Sequence, residues 1–296
     1  MHVAFATSRT HGELTPDDRL AASACDARGM RVSPAVWDDP GVRWSGFDAV
    51  IIRSTWDYHR RFSEFDAWLT RLDDTGVAVW NPTRLLRWNA NKRYLDALAE
   101  RGFATVPTAW VARGDESSLA SVMDRHGWED VVVKPTLSAT AYGTHRVRRA
   151  DADGVGGRLR NGPVAELMVQ PFMPEVQTVG EWSLMFFRGC FSHSVRKRPA
   201  RGDFRVQSDF GGSSTAEVAS DIVIDEGAAI LTAVEGRWLY ARVDGIETAS
   251  GFVLMELEML EPMLFFDQDR AAAPRFAAAL EEAIRHPQAA VHPRAE

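Results

Sequence analysis

Cysteine is almost missing from this chain: Cys25 and Cys190 stand far apart in 296 residues. That excludes a disulfide-stapled secreted scaffold and makes a reducing compartment the expectation. No apolar run approaches the roughly 20 residues that span a bilayer. No signal-peptide pattern is visible either, so a cytoplasmic protein without a membrane partner is expected. Basic charge is short as well. With 34 Lys and Arg against 41 Asp and Glu, a net charge of −7, a broad nucleic-acid-binding surface is disfavoured and only a local basic pocket suits the balance. Internal repeats and low-complexity segments are lacking too. What is there, 45% hydrophobic and 25% charged residues, fits a globular chain with a sizeable core and roughly two or three domains.

The first third alternates strand and helix signals. "HVAFAT" (2–7) and "DAVIIRS" (48–54) are short apolar runs, and "VAVWNP" (77–82) is another, closed by a turn. Between them, "PDDRLAASACDARG" (16–29) has a helix-start proline, early acids and a closing glycine. "FSEFDAWLTRLDDTG" (62–76) places Phe62, Phe65, Trp68, Leu69 and Leu72 on one helix face. Such alternation predicts a parallel, helix-covered sheet. Ligands meet parallel sheets at the carboxyl ends of strands, here Ser8, Arg9 and "RSTWDYHR" (53–60), a segment that also fits a plain polar loop.

A helix is expected over 89–102, capped by Asn89 or Asn91, and another over 115–127 between the strands "VPTAWV" and "VVVKP". The second half is richer in strands: "AELMVQPF", "EWSLMFFRGCFSHSVRK" and "FVLMELEML". The fold class expected is α/β at the start and sheet-dominated α+β after it. The final "HPQAAVHPRAE" has no core-forming pattern and is expected to fray.

The last of those strands carries acids. Glu256 and Glu258 are one pleat apart and point to the same side, with Glu261 just beyond. Two carboxylates that close repel, and a buried pair needs counter-charge. A magnesium ion would resolve the conflict through oxygen ligands. Asp244 would join from the neighbouring strand if 245–252 form a hairpin, which Gly245 and Gly251 ease. An isolated Glu-x-Glu also fits a solvated strand face. Upstream, Lys134 ends an apolar strand, and the hydroxyl-rich "PTLSATAYGT" follows, a loop whose amides would cradle phosphate although Gly143 is its only glycine. Gln170 ends a strand where backbone groups would meet an adenine edge. Glu181 opens the next and would accept ribose hydroxyls, and Lys197 adds a cation.

The order Lys92, Lys134, Gln170, Glu181, Lys197, Arg242/Asp244, Glu256/Glu258 resembles the ATP-grasp superfamily, in its glutathione-synthetase-like branch. The resemblance implies a parallel α/β domain on the substrate side at 1–86, followed by a two-lobed ATP-grasp module. Its central lobe would occupy 87–171, and its C-terminal lobe, with the metal carboxylates, 172–296. ATP and Mg2+ are the cofactors it implies. Lys92 and Lys134 would meet the phosphates, residues 136–144 with Ser138 would cover them, Gln170 and Phe172 would hold the adenine, and Glu181 the ribose. Asp244, Glu256 and Glu258 would ligate magnesium. Many members carry Glu-x-Asn at the last pair, so Glu256-x-Glu258 keeps oxygen donors and adds charge, implying tighter binding or two ions.

The chemistry implied is activation of a carboxylate as an acyl phosphate, then attack by an amine. Arg242 would face the developing oxyanion with Lys197 beside it. Arg205 and Gly212, in "KRPARGDFRVQSDFGGS" (197–213), would surround the acyl phosphate unless that segment is a plain surface loop.

"RSTWDYHRRF", "WNPTRLLRWNANKRYL", "GEWSLMFF" and "LELEMLEP" further resemble a narrower group that includes cyclo-ligases of D-cycloserine biosynthesis, an antibiotic pathway. These act on O-ureido-D-serine, closing an isoxazolidinone ring with loss of carbon dioxide and ammonia. Intermolecular ligation of an amino acid to an external amine stays open beside that reading, as does a non-catalytic ATP-binding protein. Substrate choice is expected in the front domain at Arg9, Arg53, Thr55, Trp56, Asp57 and Tyr58, with Arg53 on the carboxylate and Asp57 on the ammonium of a small zwitterion. Trp56 equally fits the core. Dimers are common in the superfamily, and the residues leave oligomeric state open.

Overall fold

The computed structural model describes residues 1–112, 115, 117–154 and 166–287. Its N-terminal part is a four-stranded parallel sheet of β1 (His2–Thr7), β2 (Arg31–Val36), β3 (Ala49–Ile52) and β4 (Ala78–Trp80), in the order β2-β1-β3-β4. Strand alternation divides its core in two. Val3, Phe5, Ala49 and Ile51 pack with Ala21 and Cys25 of α1 (Pro16–Asp26). Ala4, Ala6, Val50 and Ile52 pack with Phe65, Trp68, Leu69 and Leu72 of α2 (Phe62–Thr75). With both faces covered, β1 and β3 read as apolar runs. α1 begins where its residues dictate: Thr15 accepts a hydrogen bond from the Asp18 amide, and Pro16 sits in the first turn. β2 adds to the expected strands. "RVSPAV" carries Pro34 and lies at the sheet edge, where a missing N–H is tolerated.

The single helix expected over 89–102 is two helices. α3 (Thr83–Ala90) and α4 (Tyr94–Glu100) flank an extended Asn91, with φ −105° and ψ 123°. Asn89 is no cap. Its side chain donates to the Leu257 carbonyl and accepts from the Met259 amide, so it lies inside α3 and pins the end of the last strand. Lys92 is left in the break, its amide bonded to the Thr136 carbonyl at 2.8 Å.

The central sheet is antiparallel, with β5 (Ala109–Val111), β6 (Asp130–Pro135), β7 (His145–Arg148) and β8 (Leu167–Pro171) in the order β5-β8-β6-β7. α5 (Leu119–His126) covers one face, capped by Ser118 and closed by Gly127 at φ 67°. The short α6 (Glu175–Thr178) leads to the third sheet, also antiparallel: β9 (Glu181–Phe187), β10 (Cys190–Arg198), β11 (Ser213–Ala216), β12 (Tyr240–Thr248) and β13 (Gly251–Glu258), in the order β11-β10-β9-β12-β13. The β12–β13 hairpin is tighter than expected, with only Ala249 and Ser250 between the strands, and Gly251 takes φ 115°. Gly245 serves packing instead: a Cβ there would lie 2.3 Å from the Phe252 ring.

Two helices were not foreseen. α7 (Asp221–Thr232) begins with β-branched residues that mask it, yet Ser220 caps it, and Val223, Ile230 and Leu231 bury against the Trp182, Leu184 and Phe186 face of the third sheet. The opposite face is polar over Glu181, Ser183, Arg242, Asp244, Glu256 and Glu258, with Asp244 paired to Glu256 and to Ser183 across the strands. Farther along that face Met185, Phe187 and Tyr240 are apolar. There α8 (Ala272–Arg285) sets Phe276 and Leu280 between them and the parallel sheet. Most of the closing "HPQAAVHPRAE" lies outside the described residues. The class is α/β followed by α+β, as the strand and helix pattern predicts. Among the described residues no helix is long and apolar enough to cross a membrane.

Candidate active site

A cavity of about 510 Å3 lies between the sheets, a size suited to a small-molecule site. One wall is the polar face of β9, β10, β12 and β13. Another is β6 and β8 with the loop that follows β6, including Lys134, Ser138 and Gln170. Phe172 and the 204–214 segment close one part, and Trp56 and Tyr58 of the N-terminal region border another.

Acids and cations interlock along the first wall. Arg242 Nη2 lies 2.9 Å from Asp244 Oδ2 and 2.5 Å from Glu258 Oε1, and Lys92 Nζ lies 3.0 Å from Glu256 Oε1. Lys197 Nζ lies 2.5 Å from Glu181 Oε1 and 3.2 Å from Asp244 Oδ2. Burial opposes ionisation of every carboxyl here. At Asp244, Arg242 and Lys197 outweigh burial and hold the group below its usual range; at Glu256, Lys92 and Lys134 do so. At Glu258 burial prevails over Arg242, and repulsion from Glu256 and Asp244 adds to it, pushing the carboxyl up to about 8. Burial also raises Glu181, against Lys197, and takes Glu261 to about 7.

For magnesium the donor chemistry fits. Asp244, Glu256 and Glu258 offer oxygen donors on one sheet face, at neighbouring positions of paired strands. The negative charge that pushes Glu258 upward is what a divalent ion would neutralise. The arrangement is no preformed cage, since among the described residues no three Asp, Glu, His or Cys side chains gather to hold an ion. Arg242, Lys92 and Lys197 draw the oxygens aside.

Lys92 also donates to the Ser138 carbonyl at 2.7 Å, tying down the loop after β6. That loop is poor in glycine, and its left-handed turns fall on Thr140 (φ 51°) and Ala141 (φ 55°) as well as Gly143. Lys134 is half-buried in the cavity wall, its ammonium made less basic by burial, and among the described residues it has no ion-pair partner. Gln170 donates to Thr108 Oγ1 at 2.9 Å, and the Arg146 guanidinium lies 3.4 Å over the Phe172 ring.

Four expected substrate residues lie away from the cavity. Arg53 is 2% exposed and donates to Asp18 Oδ1 at 2.8 Å and to the Pro262 carbonyl at 3.1 Å, so it braces the core and meets no substrate carboxylate. Asp57, expected on an ammonium, accepts from Arg61 at 2.7 Å and from the Trp37 indole at 2.9 Å. Thr55 is fully buried, and Arg9 extends into solvent beside Asp38. From the same segment Trp56 and Tyr58 do line the cavity. The strand-end rule located the segment, and packing decided which side chains turn inward. Arg205 lines the cavity with its guanidinium paired to Asp203 at 2.8 Å and stacked on Phe210. Gly212 lines it too and tolerates no side chain, since a Cβ would lie 2.1 Å from the Val206 carbonyl oxygen.

Glu261 and the segment after it, including Met263 and Phe265, line the cavity without having been assigned from sequence. Composition held one unused signal: the chain has only three lysines, Lys92, Lys134 and Lys197, and all of them meet in this cavity.

Solved structures share the architecture. D-alanine–D-alanine ligase from Bacillus anthracis, complexed with ATP, superposes with a TM-score of 0.68 at 14% identity over 96% of both chains. The ATP-grasp ligase PsnB, complexed with minimal precursor, Mg and ADP, does so with 0.64 at 16% identity, over 96% of this chain and 98% of that one. The fold is that of the ATP-grasp ligases. The crystal structure of D-cycloserine synthetase DcsG aligns with a TM-score of 0.85 at 31% identity, over 96% of this chain and 100% of that one. The cycloserine biosynthesis protein DcsG of Streptomyces lavendulae is 33% identical over 278 residues, 88% of this chain and 92% of that protein. The family model for the N-terminal domain of D-cycloserine synthetase DcsG matches residues 3–81. The chain belongs to the DcsG family of ATP-dependent ligases.

Proposed function

We propose that this ligase closes O-ureido-D-serine into D-cycloserine at the cavity between its substrate-side domain, 1–86, and the lobes 87–171 and 172–296. The substrate carboxylate takes the γ-phosphoryl group of ATP, and a nitrogen of the ureido-oxy group then displaces phosphate from the acyl phosphate. Water then cleaves the carbamoyl group left on the ring nitrogen, so that the ring is released with ADP, phosphate, carbon dioxide and ammonia. The observation that carries this reading is the closed row of Lys92, Lys134, Lys197 and Arg242 against four acids, in a chain similar to DcsG over most of its length. Phosphoryl transfer asks for positioning and charge neutralisation, which that row supplies.

Lys92 and Lys134 would hold the phosphates beneath Ser138 and its loop, Gln170 and Phe172 the adenine, and Glu181 the ribose. Asp244, Glu256 and Glu258 would hold Mg2+, whose charge offsets that of the phosphates when it is bound. Arg242, with Lys197 beside it, would face the oxyanion formed at the carboxyl carbon, and Arg205 and Gly212 would border the acyl phosphate. Having both reacting groups on one molecule lowers the barrier by on the order of 7–11 kcal/mol.

The test is phosphate release from ATP and magnesium with single amino acids, including both enantiomers of O-ureidoserine, and then with pairs. Release with O-ureido-D-serine alone, with cycloserine in the mass spectrum, is expected. Release that requires a second amino acid would replace cyclisation with intermolecular ligation.

A further inference from the structure

With Asp57 bonded to Arg61 and Trp37, the cavity needs another acid if it is to receive a cationic substrate group, and Glu261 supplies one. Glu261 is 7% exposed and lines the cavity with Trp56 and Tyr58. Its backbone carbonyl accepts the Trp56 indole N–H at 2.9 Å, which fixes the acid against that ring's segment.

The carboxylate differs from its neighbours in one respect. Glu181, Asp244, Glu256 and Glu258 each have a lysine or arginine within ion-pair distance. Among the described residues no lysine or arginine lies within ion-pair distance of the Glu261 carboxylate, and the side chain that holds this residue, Trp56, bonds to its backbone carbonyl. Lys92, Arg242, Glu256, Glu258 and Tyr58 act on it electrostatically without pairing. A buried carboxylate without a cation costs free energy unless a ligand provides one. Two further acids of the wall, Asp209 and Asp267, are exposed, so water satisfies them. Aromatic faces beside an acid favour an ammonium in particular, because the ring quadrupole attracts cations that water has left.

We infer that Glu261, with Trp56 and Tyr58, is the receptor for the protonated amine of an amino-acid substrate. The inference rests on the reading above, that the carboxylate activated in this cavity belongs to an amino acid. Its position suits that chemistry: an α-amine is two bonds from the carboxyl carbon, and Glu261 follows Glu258 by three residues and lines the same cavity as Arg242. Glu261 therefore screens for an amine next to the carboxylate that is activated.

Glu261→Gln keeps the size and removes the charge. With O-ureido-D-serine as substrate its KM should rise about 10- to 100-fold, the worth of a charged hydrogen bond, while calorimetry finds ATP affinity within about twofold of wild type. The 2-hydroxy analogue of the same substrate lacks the ammonium. Wild type should prefer the amino form by a similar factor, Glu261→Gln should lose that preference, and Glu261→Asp should keep part of it. An unchanged preference in Glu261→Gln, or its loss in Asp57→Asn instead, overturns the assignment and leaves the ligase reading standing. A wild type that releases no phosphate with any amino acid overturns that reading and the assignment together.

Discussion

Arg53 and Asp18 form an ion pair of 2.8 Å in which each side chain is only 2% exposed. Arg53 also reaches the Pro262 carbonyl, and the adjacent Asp17 accepts the amides of Leu264 and Phe266. Together they fasten the segment that follows Glu261 to the N-terminal sheet. Breaking such a pair leaves a buried charge without its partner. Arg53→Met should therefore lower the unfolding free energy by about 3–5 kcal/mol, measured by urea titration. A variant as stable as wild type that has lost substrate affinity would return Arg53 to the substrate.

Lys134 faces the cavity without an ion-pair partner among the described residues, and burial makes its ammonium less basic. A phosphate would satisfy it. Lys134→Ala should weaken ATP binding by about 10- to 100-fold, with a change in stability below about 1 kcal/mol. Calorimetry and thermal unfolding separate the two, and unchanged ATP affinity would remove the lysine from the nucleotide site.

Glu256→Gln takes a charge from the acidic face, and Glu258→Gln takes the charge that a bound magnesium would restore to a carboxyl otherwise raised to about 8, both at constant volume. Turnover should fall by at least about 100-fold in either variant, with the far-ultraviolet circular dichroism spectrum unchanged. Near-normal phosphate release by either variant at low magnesium would dismiss these acids as metal ligands.

His59 packs its ring on Tyr142 at 5.1 Å, and burial, with Arg60, lowers its pKa to about 4. An unfolded imidazole titrates near ~6.5, so between those values the unfolded chain holds the extra proton. The stability from neutral His59 is present above about pH 6.5 and is lost as pH falls toward 4. Asp17, raised to about 6 by burial, acts in the opposite sense over part of that range. The check is therefore a comparison: the melting temperature should fall less on acidification in His59→Phe than in wild type. Parallel curves would show that the ring does not titrate with unfolding.

Much of the fold was legible because its signals are local. The apolar runs of β1 and β3, the Phe65–Leu72 face of α2 and the Pro16 start of α1 each need only a few neighbours to be read. α7 was missed for the opposite reason, since its buried stripe shows only once the sheet it covers is known. α8 carries Phe276, Ala277, Leu280 and Ala283 at helical spacing and could have been read locally; only the strands it covers, at the other end of the chain, needed the tertiary structure.

The same division runs through the site. That Glu256 and Glu258 share a face follows from the two-residue period of a strand, and their mutual repulsion already called for a cation. Sequence by itself determined that much, together with the order of lysines and acids that marks the ATP-grasp ligases. Only the tertiary structure decided which residues after β3 turn inward, because an irregular segment has no period to read. Arg53 went to Asp18, Asp57 to Arg61 and Trp37, and Trp56 and Tyr58 to the cavity. The helix break that positions Lys92 is likewise non-local, since Asn89 bonds to Leu257, 168 residues away in the chain. A side chain's direction is set by whichever distant partner satisfies its charge or hydrogen bonds, and that partner is known only once the chain has folded.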